Sequence, residues 1–164
     1  MNNILHRFRT SALWRNEIVA IINQLQQAVS QYIIDIKLER RFLVDTNREL
    51  TRNELEILDN LLRETFEPEQ YNEESLIDKH GSEIVYEVGP RISIVTPAST
   101  NAVAICQAVG LTSICRIEQT RRLKLVIQNG HTLSELQQEQ VRVLLHDRMT
   151  EQIYSEAITS FATN

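Results

Sequence analysis

The strongest constraint on the fold is an order of sequence patterns that occurs twice. A short alternating stretch, a helical stripe, a long extended run and a capped helix follow one another in residues 1–66, and this order returns in residues 83–154. In the first extended run the pair Arg40-Arg41 precedes apolar residues, and Arg121-Arg122 does so 81 positions later. The repeat predicts two halves of similar topology.

The first half contains recognisable start and stop signals. Residues 4–9 alternate and predict a strand, and the alternation over 34–44 predicts a bent strand or a tight hairpin. Thr51 and Glu54 have the spacing of a capping box, in which each side chain binds a free backbone N–H at the helix start. We therefore expect a helix that ends near Phe66.

The second half repeats these signals. Residues 97–109 predict a short helix that Gly110 ends, and residues 113–128 are strand-like. Thr132 and Glu135 again have capping-box spacing before the last apolar stripe, so a helix is expected there too.

These elements predict an α+β fold built as a tandem duplication of a β-α-β-β-α half. Such a half has an antiparallel sheet with helices on one face, so its other face must be buried. We expect the two sheets to pack on each other with the helices outside. The predicted domain spans residues 1–154, with half one at 1–66, an acidic exposed connection at 67–82, half two at 83–154 and a tail at 155–164.

Composition excludes several classes of protein. The net charge of −5 leaves no basic excess for phosphates, so no nucleic acid is expected as a partner. No apolar run approaches the roughly 18 residues of a membrane span, and we expect no membrane contact and a cytoplasmic location. Cys106 and Cys115 lack the spacing of a zinc site or of a disulfide framework. The common phosphate-loop, metalloprotease and nucleophile-elbow motifs are missing from the sequence.

Four segments in the second half form a specific combination: EVGPR, TPASTNAVAICQAVGL, RIEQTRR and LHDRMTE. In this order they resemble the amino-terminal domain of the large, single-chain phosphoribosylformylglycinamidine synthases, the FGAR amidotransferases of purine biosynthesis. The resemblance implies a fused pair of small PurS-type, ferredoxin-like subunits. It also implies a parent enzyme that uses ATP, Mg and glutamine, whose synthetase and glutaminase domains would be the partners of this chain. The catalytic, cofactor-binding and metal-binding residues of that family lie in those other domains, so none is expected here.

The polar clusters inside the matching segments are the candidates for contact with those domains. They are Thr96, Pro97, Ser99, Thr100, Asn101, Arg121, Arg122, His146, Asp147, Arg148 and Glu151. Helix capping explains residues 96–101 equally well. For the arginine pair, an anion site shared with Arg91 and Arg116 competes with a solvated strand edge.

Two other functions compete with an assembly domain. One is a free-standing ferredoxin-like regulatory or small-ligand-binding module, which would place a closed apolar pocket between the halves. The other is an RNA-binding module. The chain has only nine aromatic residues (one Trp, four Tyr and four Phe), which leaves few side chains on which bases could stack.

Overall fold

The computed structural model describes residues 3–10, 14–63, 71–77, 83–156 and 158–161. In chain order its elements are β1 (Asn3–Arg9), α1 (Arg15–Ala28), β2 (Ile33–Thr46), α2 (Arg52–Leu62), β3 (Tyr71–Asn72), β4 (Ile84–Pro90), α3 (Pro97–Ala108), β5 (Ile114–Ile127), α4 (Glu135–Leu145) and β6 (Glu151–Tyr154).

The strands form one antiparallel sheet of six in the order β3-β1-β2-β5-β4-β6. The expectation of two sheets packed face to face was therefore wrong. The reason is the pairing of β2 with β5, which runs from Ile33 opposite Ile127 to Thr46 opposite Ile114. This ladder joins the two halves edge to edge, and the predicted bent strand or hairpin over 34–44 is one continuous strand.

The helices cover one face of this sheet in two pairs, each of which seals its own core. Leu25 of α1 and Val141 of α4 pack with Leu123 of β5. Leu58 of α2 and Cys106 of α3 belong to the second core. Each core thus takes one helix from each half of the chain, so neither half has a core of its own.

The opposite face carries ionic and polar side chains that are nevertheless largely buried. We call this set the charged layer; it consists of Glu39, Arg41, Glu87, Arg116, Glu118, Thr120 and Arg122. Directly opposite residues of an antiparallel pair share a face, and Glu39 lies opposite Arg122, which lies opposite Glu87. Arg122 is 2.8 Å from a carboxylate oxygen of Glu39 and 3.3 Å from one of Glu87. Mutual pairing therefore satisfies charges that burial would otherwise leave unpaired.

Chain segments outside the regular elements cover part of the charged layer. The Ser75 hydroxyl donates to Glu39 at 2.9 Å, and the Phe161 ring lies 4.2 Å from the Arg116 guanidinium. In residues 71–77, the described part of the expected exposed connection, Tyr71 and Ile77 are buried, whereas Glu73, Glu74 and Leu76 are exposed.

Two of the predicted helix signals are present and one is displaced, while α1 begins after Trp14 with no side-chain cap. α2 ends at Leu62, before the expected end near Phe66. Thr51 and Glu54 form the complete capping box of α2. The box of α4 consists of Ser134 and Gln137 instead of Thr132 and Glu135. Gly110, with φ +92, follows α3 in the left-handed conformation that glycine tolerates best. Among the described residues, no helix combines the length and apolarity needed to cross a membrane.

Candidate functional site

A cleft of about 590 Å³ lies over the middle of the sheet. Its floor comes from β2 and β5, one wall from the start of α3, and the rim from Thr150 and Glu151. A recess of about 200 Å³ shares Arg40, Gln119 and Glu151 with it and adds Arg121. The cleft is thus built from both halves of the chain.

The predicted cluster at the start of α3 divides into structural ties and exposed groups. Thr96 caps the helix by accepting from the Ser99 N–H at 3.1 Å, and its hydroxyl donates to Glu118 at 2.6 Å. The Ser99 hydroxyl accepts the Ile117 N–H at 2.9 Å. Ile117 lies in the part of β5 that extends beyond its pairing with β4. These two side chains fix α3 against the sheet.

The other members of this cluster face outward. Pro97, Thr100 and Asn101 are exposed, and Pro97 also lines the cleft. Capping therefore accounts for Thr96 and the tie to β5 accounts for Ser99, while Thr100 and Asn101 are accessible for contact with another molecule.

The predicted arginine pair is split between the two faces of the sheet. Arg121 donates to Glu151 at 3.2 Å and to the Leu145 carbonyl at 3.1 Å, on the helix-covered face. Arg122 belongs to the charged layer on the other face. Because β5 is an interior strand of the sheet, the alternative of a solvated strand edge was wrong.

The four arginines proposed as one anion site do not converge. Arg116 donates to the carbonyls of Ile92 and Ile94 at 2.9 and 2.7 Å, and Arg91 donates to the Arg148 carbonyl. These two guanidinium groups hold the segment that leads into α3. Arg116 also donates to the Glu118 carboxylate at 2.7 Å.

The predicted segment after α4 forms a turn that ends in the cleft. His146 places Nδ1 2.5 Å from the Arg142 carbonyl oxygen, and Asp147 accepts the Met149 N–H at 2.9 Å. His146 and Asp147 therefore each bind neighbouring backbone. Arg148 and Asp147 are exposed, whereas Glu151 is half-buried and pairs with Arg121.

Sequence reasoning missed Arg40 and Gln119, which line both the cleft and the recess. A signal for Arg40 was present, because it occupies the same position in the first arginine pair as Arg121 does in the second. Strand alternation sends successive residues to opposite faces, so only one arginine of each pair can reach the cleft. Gln119 carried no comparable signal.

Burial disfavours the charged forms of Cys106 and His6. Burial raises the pKa of the Cys106 thiol, which keeps it protonated and unreactive. Burial, together with nearby arginines, lowers the pKa of His6 to about 4. Within the described ranges, no group of three or more His, Cys, Asp or Glu side chains is arranged to hold a metal ion.

Comparisons with known proteins agree with the motifs. The family described as formylglycinamide ribonucleotide amidotransferase N-terminal matches residues 39–161. The probable phosphoribosylformylglycinamidine synthase, chloroplastic/mitochondrial, of Arabidopsis thaliana is 33% identical over 98% of this chain and 12% of its own length. The phosphoribosylformylglycinamidine synthase of Dictyostelium discoideum is 37% identical over 95% of this chain and 12% of its own length.

The human phosphoribosylformylglycinamidine synthase is 40% identical over 89 residues, which are 54% of this chain and 6% of that protein. The chain thus spans only about 12% of the length of the two relatives that match nearly all of it. The family match and the nearly complete alignments show that the chain belongs to the formylglycinamide ribonucleotide amidotransferase N-terminal family.

Proposed function

We propose that the chain is the assembly domain of a phosphoribosylformylglycinamidine synthase and docks to the synthetase and glutaminase domains of that enzyme. The observation that carries the proposal is the alignment of 98% of the chain with 12% of a relative bearing this name. The parent activity would be ATP-dependent and glutamine-dependent conversion of FGAR to its amidine. ATP, Mg²⁺ and glutamine would be bound by the other domains, and this chain alone would not catalyse the reaction.

The outer side of α3 supports a docking role. The helix PASTNAVAICQA contains no charged residue. Asn101, Ile105 and Val109 follow one another at intervals of four residues, and Ile105 and Val109 are 56% and 46% exposed. Interface centres are depleted of charge in this way, and an exposed apolar stripe is typical of a surface that another protein covers.

The loop before α3 also carries exposed apolar side chains. Ile94 and Val95 are 45% and 56% exposed. We infer that this stripe, with Thr100 and Asn101 beside it, meets the remainder of the enzyme. Asp147 and Arg148 remain candidates for a second contact, because both are exposed at the turn after α4.

A binding measurement tests the proposal. The chain is mixed with the remaining domains of the enzyme, expressed separately, and affinity is followed by titration calorimetry alongside glutamine-dependent FGAR amidation. We expect binding and restored amidation, and at least tenfold weaker binding for Ile105→Asp, because the substitution buries a charge in the interface. Val143→Asp is the matched control, since Val143 is 43% exposed on α4.

Equal binding by the wild type and both variants would refute the proposed docking surface. Lack of any binding would refute the assembly role. FGAR amidation, ATP hydrolysis or glutamine hydrolysis by the chain alone would also contradict the proposal. The small-ligand alternative has one observation in its favour, the cleft over the middle of the sheet. A cytoplasmic location remains part of the proposal and is tested by imaging a fluorescent fusion, since the Arabidopsis relative is named as chloroplastic/mitochondrial.

A further inference from the structure

Three arginines form a row across the middle of the sheet. Arg9 of β1 lies directly opposite Arg40 of β2, and Arg40 lies directly opposite Arg121 of β5. Directly opposite residues have their side chains on one face, where like charges repel. The row lies on the helix-covered face, as the contact of Arg121 with the Leu145 carbonyl of α4 shows. The fold has therefore placed three positive charges side by side between its two cores.

The members of the row are compensated unequally. Arg121 has a carboxylate partner in Glu151, at 3.2 Å. Arg9 and Arg40 both lie over the Trp14 ring, 5.3 and 5.0 Å from its centroid. The buried Nε of Arg40 has no hydrogen-bond acceptor in the described part of the chain. Arg40 thus lines the cleft with guanidinium N–H groups that no described acidic side chain binds.

The rest of the cleft suits the other parts of a small ligand. Gln119 lies on the same face as Arg40, one step diagonally across the ladder, and its exposed amide adds a donor. Phe42, Ile117 and Ala102 supply an apolar wall. A few polar groups beside apolar lining, in a volume of about 590 Å³, is the usual make-up of a small-molecule site.

We propose that this cleft binds a small anionic molecule. Its phosphate or carboxylate lies against Arg40 and Gln119, and its apolar part packs on Phe42, Ile117 and Ala102. A guanidinium presents paired N–H groups that match two oxygens of either anion. Glu118 and Glu151 also line the cleft, but both charges are already paired. Glu118 lies 2.7 Å from the Arg116 guanidinium, and Glu151 is held by Arg121 and by the Asp147 N–H at 3.0 Å.

The inference concerns a ligand of this chain itself and does not depend on docking to other domains. It is tested on the 164-residue chain with phenyl phosphate, benzoate, inorganic phosphate and uncharged phenol as probes, by calorimetry and thermal shift at constant ionic strength. We expect phenyl phosphate or benzoate to bind more tightly than inorganic phosphate, and phenol to leave the melting temperature unchanged. The comparison of the first two probes decides between a phosphate and a carboxylate.

Three variants make the test specific. Arg40→Gln is expected to weaken binding of the better probe at least tenfold. Arg15→Gln removes the same charge at an exposed position, in a 3.4 Å pair with Asp35, and is expected to bind like the wild type. Ala98→Trp places an indole ring in the cleft from an exposed site on α3, and it leaves every arginine of the sequence unchanged. This variant is expected to abolish binding.

Circular dichroism confirms that each variant is folded. Lack of binding by the wild type, equal binding by Arg40→Gln, or equal stabilisation by phenol would overturn the proposal.

Discussion

Glu39 is the side chain whose neutralisation should reveal how far the charged layer stabilises the fold. Its exposure is 0%, and its carboxylate accepts from the Ser75 hydroxyl at 2.9 Å, the Leu76 N–H at 2.5 Å and Arg122 at 2.8 Å. All three partners are donors. In Glu39→Gln the amide nitrogen must face at least one of them, so a buried hydrogen bond is replaced by two opposed donors.

The expected cost follows from these contacts. Breaking a buried ion pair by removing one partner costs about 3–5 kcal/mol. Arg122 keeps Glu87 at 3.3 Å as a second carboxylate, which places the expected loss for Glu39→Gln near the lower limit, about 3 kcal/mol. Urea unfolding measures it through the midpoint, with the m-value as the check that only stability has changed.

A double-mutant cycle with Arg122→Gln isolates the pair. We expect a coupling free energy above about 1 kcal/mol, since the two groups are in direct contact. The control is Asp35→Asn, which breaks the exposed 3.4 Å pair with Arg15 and should change stability by less than about 0.5 kcal/mol. A loss below about 1 kcal/mol for Glu39→Gln, or no coupling, would show that the charged layer is not a stabilising network.

Three further predictions concern single positions. Thr51→Ala and Ser134→Ala each remove half of a capping box and should each cost about 1 kcal/mol in urea unfolding, additively, because α2 and α4 belong to different cores. Gly89→Ala would place its Cβ 2.5 Å from the Thr120 side chain, so the midpoint should fall by the equivalent of about 1–3 kcal/mol; an unchanged midpoint would refute the contact. The pKa of His6 is lowered to about 4 from 6.5, first by burial, so the unfolded chain takes up the proton before the folded one. Stability should therefore fall as pH decreases from about 6.5 towards 4, and His6→Gln should reduce this pH dependence.

Local signals were sufficient for the helices but not for the sheet. The capping box at Thr51 was predictable because a helix start is decided within four residues. The second box was displaced by two residues because Ser134 and Gln137 offer the same spacing as Thr132 and Glu135, and sequence pattern does not choose between them. The single sheet was missed for a different reason. Alternation shows which residues share a face, whereas the register that sets Ile33 opposite Ile127 depends on contacts far apart in the chain.

The same limit explains why the candidate site was predicted only in part. Thr96 and Ser99 were selected as surface groups, but their hydroxyls bind Glu118 and the Ile117 N–H, partners that only the folded chain brings close. Thr100 and Asn101 are exposed as a docking surface requires. Their role in contact with other domains remains a prediction.

The two arginine pairs show how one dipeptide can serve both faces of the sheet. Because neighbouring residues of a strand point in opposite directions, the second member of each pair, Arg41 and Arg122, enters the charged layer, where both contact Glu87 at 3.3 Å. The first members, Arg40 and Arg121, then necessarily occupy the helix-covered face, and the register sets them directly opposite each other. A shift of one residue in this register would exchange the two sets and leave carboxylates of the charged layer facing the apolar cores. The buried ion pairs and the apolar cores thus agree on one register of the central ladder, and that register places Arg40 on the helix-covered face, where it lines the cleft.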